Sequence, residues 1–170
     1  MRKSKNLLNV AALTLALSVP GAAIAETIKS HVGGALYGSA IQVSGYSDDE
    51  FSGLALFGTG VINDNAGIRG VLAAQEHNDN SDVDSTILEG TVLFGSGLGT
   101  EGFKAYIGPG LFSDSFDYPG GDFDASGLHI MFGLGYNWSG VALDAWWSVR
   151  DVSDYEDELG VTVDGVASFG

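Results

Sequence analysis

The sequence contains no cysteine, which excludes disulfides, thiolate metal sites and cysteine nucleophiles. Basic residues are scarce: 7 Lys and Arg stand against 22 Asp and Glu, a formal charge of −15. That balance excludes nucleic acid as a partner, because gripping phosphates takes clustered cations. Charged residues of both signs make up only 17%, below the roughly 25% of a soluble domain. Long apolar runs are also missing from the body of the chain. Every stretch after the N-terminal segment is cut by Gly, Asp, Asn or Ser well short of the ~18 residues that mark a membrane helix. If this chain enters a bilayer, it does so as strands. Glycine, by contrast, is abundant, at 26 of 170 residues, about twice its usual share.

The first segment, MRKSKNLLNVAALTLALSVPGAAIA, has the three parts of a secretory signal. Arg2, Lys3 and Lys5 form a basic start, Leu7 to Val19 an apolar stretch, and Ala23-Ile24-Ala25 a small-residue cleavage site. Residues 1–25 are therefore expected to be removed, leaving 26–170 as one barrel domain. Three of the seven basic residues leave with the signal and none of the acids does, so the mature chain carries a formal charge of −18.

From residue 31 onward the hydropathy pattern has period two. Eight strands are predicted, at Val32–Val43, Ser52–Ile62, Gly67–Gln75, Thr86–Phe94, Phe103–Phe112, Gly127–Asn137, Val141–Arg150 and Val161–Phe169. Each has the ~9–11 residues of a tilted membrane strand rather than the ~5–6 of a globular one. The connections alternate between short turns (Asn63–Asn65, Ser96–Gly102, Ser139-Gly140) and longer acidic segments (SGYSDDEF, EHNDNSDVDS, SDSFDYPGGDFDAS, DVSDYEDELG). Short turns on one rim and long loops on the other are the mark of an even-stranded, antiparallel, up-and-down barrel.

Each strand separates an apolar from a small or polar face. Leu128, Ile130, Phe132, Leu134 and Tyr136 oppose His129, Met131, Gly133 and Gly135; Leu143, Ala145, Trp147 and Val149 oppose Asp144, Trp146, Ser148 and Arg150. In the eighth strand Val161, Val163, Gly165, Ala167 and Phe169 oppose Thr162, Asp164, Val166 and Ser168. A soluble barrel would need Lys and Glu on its second face to stay dispersed. Here that face holds Gly, Ser, Thr and isolated ions, which suits a lumen with lipid outside. Phe94, Phe103, Tyr136, Trp138 and Phe169 fall on the apolar face near the short-turn ends, where interfacial aromatics collect. Pro109, flanked by Gly108 and Gly110, predicts a bulge. The first strand, with Gly33-Gly34, leaves its faces unassigned.

The lumen face carries three cations, Arg69, Lys104 and Arg150, and three anions, Glu89, Asp144 and Asp164. Enclosed charges must pair, so two groups are expected: Arg150 with Asp164 and Glu89 toward the long-loop end, and Arg69 with Lys104 and Asp144 toward the short-turn end. Eight strands enclose a space that side chains just fill, so these residues predict a salt-bridged plug. No nucleophile elbow, zinc-protease helix or phosphate loop occurs. Among His31, His77 and His129, only His77 lies near clustered acids; DNSDVDS there lacks the central Gly and distal Glu of a calcium loop. No catalytic, metal or cofactor residue is assigned. The acidic loops are expected to attract divalent cations weakly and diffusely.

Taken with its signal, eight amphipathic strands and aromatic C-terminal strand, the chain resembles the small eight-stranded outer-membrane barrels, the group of OmpX and the membrane domain of OmpA. Those proteins end on an aromatic residue; here Phe169 is penultimate. The resemblance implies assembly by the barrel-assembly machinery into a Gram-negative outer membrane, both termini in the periplasm, and loops facing lipopolysaccharide. A monomeric, non-enzymatic structural or surface-interaction protein is expected. A narrow porin-like channel, a lipid-A-modifying enzyme and a soluble lipocalin-like barrel stand as alternatives.

Overall fold

A computed structural model describes residues 30–139 and 141–170; the signal segment 1–25 lies outside them. Eight strands follow one another: β1 (Ser30–Val43), β2 (Asp49–Asn63), β3 (Ala66–His77), β4 (Asn80–Ser96), β5 (Gly102–Tyr118), β6 (Gly121–Asn137), β7 (Ala142–Arg150) and β8 (Val163–Phe169). A short helix, α1 (Ser153–Leu159), lies between the last two. Each strand pairs antiparallel with the next, and β8 returns to β1, closing the barrel. Closure leaves no full-length edge open, which is how an all-antiparallel sheet satisfies its backbone without a second sheet.

The period-two pattern decides which side chains face in. On β7 the adjacent tryptophans separate completely: Trp146 is 1% exposed and Trp147 44%. On β4, Ile87, Glu89, Thr91 and Leu93 point inward, while Val92 and Phe94 point out. Strand β1 takes the same form, with His31, Ala35, Tyr37, Ser39 and Ile41 turned to the interior side and Val32, Leu36 and Gln42 to the exterior. Phe94, Phe103, Tyr136, Trp138 and Phe169 are all exposed on the outer wall, where Phe132 stacks on Trp147 at 5.8 Å. Lumen glycines make room for bulky neighbours. A Cβ on Gly135 would lie 2.6 Å from Lys104 Cε and 2.7 Å from Asp144 Oδ1.

Four expectations are corrected. Strands β4, β5 and β6 are each 17 residues long, so two of the predicted long loops are strand. EHNDNSDVDS turns over at Asn78-Asp79, and SDSFDYPGGDFDAS at Pro119-Gly120, where Gly120 takes φ 126°. Hydropathy does not reveal these extensions because their outer face is polar, with Asp122, Asp124 and Ser126 outside and Phe123 and Ala125 inside, the reverse of the lipid-facing pattern. Pro109 makes no bulge. Its strand keeps one register against β6, with Pro109 opposite Ile130, and one register against β4 on either side of it, with Thr91 opposite Gly110 and Phe94 opposite Ile107. The missing N–H is absorbed by a short gap in the β4–β5 ladder. The last acidic segment folds as α1 instead of running as open loop.

The fourth correction concerns β8. Its pairing with β1 slips between Gln42 and Val43, which face Gly165 and Val163. One residue is thereby skipped, and a one-residue slip exchanges the faces. Val166 and Ser168 point inward as the alternation requires, yet Val163 is buried and Asp164 exposed. Asp164 therefore lies outside the lumen.

Candidate functional site in the barrel lumen

Three basic residues exist among the described residues, and all three are buried inside the barrel: Arg69 on β3, Lys104 on β5 and Arg150 on β7. They are divided between two clusters. On β7 the inward side chains run Asp144, Trp146, Ser148, Arg150, so two uncharged positions separate them.

The cluster nearer the short turns is built around Asp144. Its Oδ2 accepts from Lys104 Nζ at 2.9 Å and lies 3.4 Å from an Arg69 guanidinium nitrogen. Arg69 Nε donates to Thr59 Oγ1 at 2.8 Å, and a second Arg69 nitrogen donates to the Tyr106 hydroxyl at 2.5 Å. That hydroxyl in turn donates to Asp144 Oδ1 at 3.3 Å. Three rings enclose the guanidinium, with centroids at 5.2 Å (Phe57), 4.9 Å (Tyr106) and 5.1 Å (Trp146). Two cations meet one carboxylate, so this cluster carries a formal charge of +1.

The cluster nearer the loops is built around Arg150. One terminal nitrogen donates to Glu89 Oε1 at 2.6 Å and to the Tyr37 hydroxyl at 2.9 Å. The other donates to Asp114 Oδ2 at 2.5 Å. Tyr37 and Ser168 both donate to Glu89 Oε1, at 2.9 and 3.3 Å, and the Tyr155 hydroxyl donates to Asp114 Oδ2. Phe112 lies 5.0 Å from the guanidinium carbon. Two carboxylates meet one cation, a formal charge of −1.

The structure thus brings Arg69, Lys104 and Asp144 into one group and Arg150 and Glu89 into another, and leaves Asp164 out. Asp114 takes its place. The signal for Asp114 was in the sequence: extending the inward parity of β5 from Lys104 and Tyr106 through Phe112 reaches it directly. Tyr155 left no such trace, because it is carried by a loop.

Both ends of the lumen are sealed. At the short-turn end Leu98 folds under the barrel beside Val61 and Leu93, and Asn137 Nδ2 holds that turn through the carbonyls of Gly97 (2.9 Å) and Thr100 (3.0 Å). At the loop end Phe51, Phe112, Phe116 and Tyr155 form an apolar cap, with Phe116 stacked on Phe123 at 4.5 Å. Tyr155 is 0% exposed; burial, then the nearby Asp114 charge, raise its phenol above the ordinary range.

Two crystal structures of Ail, the attachment invasion locus protein of Yersinia pestis, are similar to the chain. One is 18% identical with a TM-score of 0.48, covering 85% of this chain and 95% of that one. The other, in complex with the heparin analogue sucrose octasulfate, is 19% identical with a TM-score of 0.44, covering 82% and 92%. No protein-family model and no curated protein sequence matches the chain.

The remaining histidines are engaged locally. His129 Nε2 lies 2.8 Å from Thr91 Oγ1 in the lumen. His77 Nδ1 accepts the Asp79 N–H at 3.1 Å, and its Nε2 lies 3.4 Å from Asp49 Oδ1. Among the described residues, no group of three or more His, Asp or Glu side chains is arranged to hold a metal ion.

Proposed function

We propose that the chain is a non-enzymatic outer-membrane barrel that presents an acidic rim to the cell exterior. One observation carries the reading. At matched register, the outward side chains change from apolar to polar. On β5 and β6 the paired Leu111 and Leu128 give way to the paired Ser113 and Ser126. On β3 and β4 the paired Leu72 and Leu88 give way, across Ala74 and Thr86, to the paired Glu76 and Asp84. Below that line the outer wall is apolar, with Leu36, Leu54, Leu111 and Leu143 all strongly exposed. A continuous apolar surface of this extent is unsustainable in water. Along β6 the run from Leu128 to Tyr136 rises roughly 20 Å once strand tilt is included, close to the ~25 Å band of membrane barrels.

The sealed lumen favours a plug over a channel. Each of the six lumen ions pairs with an ion of opposite sign, behind apolar caps at both ends. The hydroxyls that meet a base there, Thr91 at His129 and Ser168 at Glu89, are buried in the closed lumen, which supports a structural or surface-interaction role. The rim bears acids on or beside each loop-end connection and no Lys or Arg among the described residues. Facing lipopolysaccharide phosphates, such a rim is expected to need bridging divalent cations. Purified protein is expected to run as a compact, SDS-resistant monomer until boiled and to give no sustained conductance in planar bilayers. A steady, large single-channel current would defeat the plug, and recovery as a detergent-free periplasmic protein would defeat the membrane reading.

A further inference from the structure

Strand β7 pairs with β6 only from Asn137 up to His129, although β6 continues to Gly121. Asp151 N–H still reaches the Leu128 carbonyl, at 2.8 Å; beyond it, β6 keeps β5 on one side and has no strand on the other. β8 begins only at Val163. The barrel wall therefore has an opening at the loop end, between β6 and β8, and α1 fills it.

It does so by side chains where strands would use backbone. Asp154 Oδ2 accepts from the Ser126 N–H at 3.0 Å and from its hydroxyl at 3.1 Å, on the β6 edge. Glu156 Oε1 accepts the Val163 N–H at 3.0 Å, on the β8 edge. Between these two clasps Tyr155 enters the barrel, stacks on Phe112 at 6.0 Å and donates to Asp114.

Tyr155 also meets the Phe116 edge and Arg150, and Val152 packs on the apolar cap; the helix itself contributes little. It has seven residues, and helices that short are not stable on their own. Asp154 and Glu158, four apart, and Asp154 and Asp157, three apart, repel. The last turn has acids and no basic residue, the wrong sign for a helix C-terminus. The segment ends at Gly160, in the left-handed region at φ 66°.

We propose that α1 is a door in the barrel wall, pinned shut by Tyr155 and clasped by Asp154 and Glu156, and that its opening gives small cationic or neutral species a side entrance to the Arg150–Glu89–Asp114 cluster. The charge preference follows from what lines the way in. Asp122, Asp124, Asp151, Asp154 and Glu156 edge the opening, and no basic side chain is exposed among the described residues. Behind them, Glu89 and Asp114 are both buried, and each keeps one carboxylate oxygen without a partner, Oε2 and Oδ1.

Amide hydrogen exchange on the full mature chain in lipid nanodiscs tests the door, because local openings expose the amides they protect as a unit. The Ser126 and Val163 amides, on opposite sides of the opening, are expected to exchange at matched rates, far faster than Met131 and Phe132 in mid-barrel. Tyr155→Phe is expected to speed both by the same factor, roughly tenfold or more for a lost bond to a carboxylate, and to leave Met131 unchanged. Exchange of the pair as slow as Met131, or at unrelated rates, would show α1 to be fixed wall. The entrance is tested by Ser148→Cys, a near-isosteric change in a chain without cysteine. A trimethylammonium methanethiosulfonate is expected to label it faster than the sulfonate reagent, and faster still with Tyr155→Phe. No labelling by either reagent, or faster labelling by the anionic one, overturns the entrance.

Discussion

The two lumen clusters use the same parts in opposite proportion. Near the short turns, two cations share Asp144, and the excess positive charge is spread over ring faces and hydroxyls: Phe57, Tyr106 and Trp146 surround Arg69, and Thr59 takes its Nε proton. Near the loops, two carboxylates share Arg150, and the excess negative charge is met by phenols and a hydroxyl, from Tyr37, Tyr155 and Ser168. An enclosed cation can rest on an aromatic face, whereas an enclosed carboxylate needs an O–H or N–H aimed at it. The composition of each layer follows from the sign it has to absorb. The loop-end cluster is the more exacting, because each carboxylate is held by a geometry rather than by a surface.

That contrast predicts the order of damage. Arg150→Met leaves Glu89 and Asp114 enclosed without a cation, and the expected loss is about 3–5 kcal/mol, as for one partner removed from a buried pair. Denaturant titration of folded, gel-shifted protein would measure it. Asp144→Leu leaves Arg69 and Lys104 unpaired but still among rings and hydroxyls, so a smaller loss is expected, roughly 2–3 kcal/mol, and adding Lys104→Met should recover part of it. Equal losses for Arg150→Met and Asp144→Leu would erase the distinction between the layers.

A finer comparison separates Asp114 from Asp164. Asp114→Asn removes a charge bound by Arg150 and Tyr155 and should cost about 1.5–3 kcal/mol. Asp164→Asn, on the outer side of the β8 slip, should leave the denaturation midpoint unmoved. A reversal would mean that β8 keeps its regular phase. A local, pH-dependent effect is expected at Asp151, whose carboxylate is held below its ordinary range by hydrogen bonds from Ser153, hydroxyl first and N–H second. A depressed value means the folded form favours the ionised group. Its contribution is thus complete above the usual carboxylate range and is lost as the pH falls through the lower folded value. The Ser153 amide should then exchange faster only under strongly acidic conditions.

Legibility in the sequence followed the solvent. Where lipid-compatible and lumen side chains alternate, period two gave the strands and their faces, and the parity of Lys104 and Asp144 placed them on the same interior as Arg69. Past the apolar line the outer face turns polar while Phe116, Phe123 and Ala125 stay inside, so the segments holding Asp114, Asp117 and Asp124 lose the lipid-facing pattern and read as loop. The β8 slip skips Asp164 between the partners of Gln42 and Val43 and leaves the residue pattern untouched, so alternation alone puts Asp164 on the wrong side. Tyr155 belongs to a helix with weak intrinsic preference, ordered by contacts far away in the chain, and no local signal marks it.

The withdrawal of every described lysine and arginine behind the wall has a practical consequence. A protease that cuts after these residues finds no target in the folded barrel between Ser30 and Gly170, while the unfolded chain offers Arg69, Lys104 and Arg150. Digestion by trypsin therefore reports the folded fraction directly, with the molecule's own ion layers serving as the gauge.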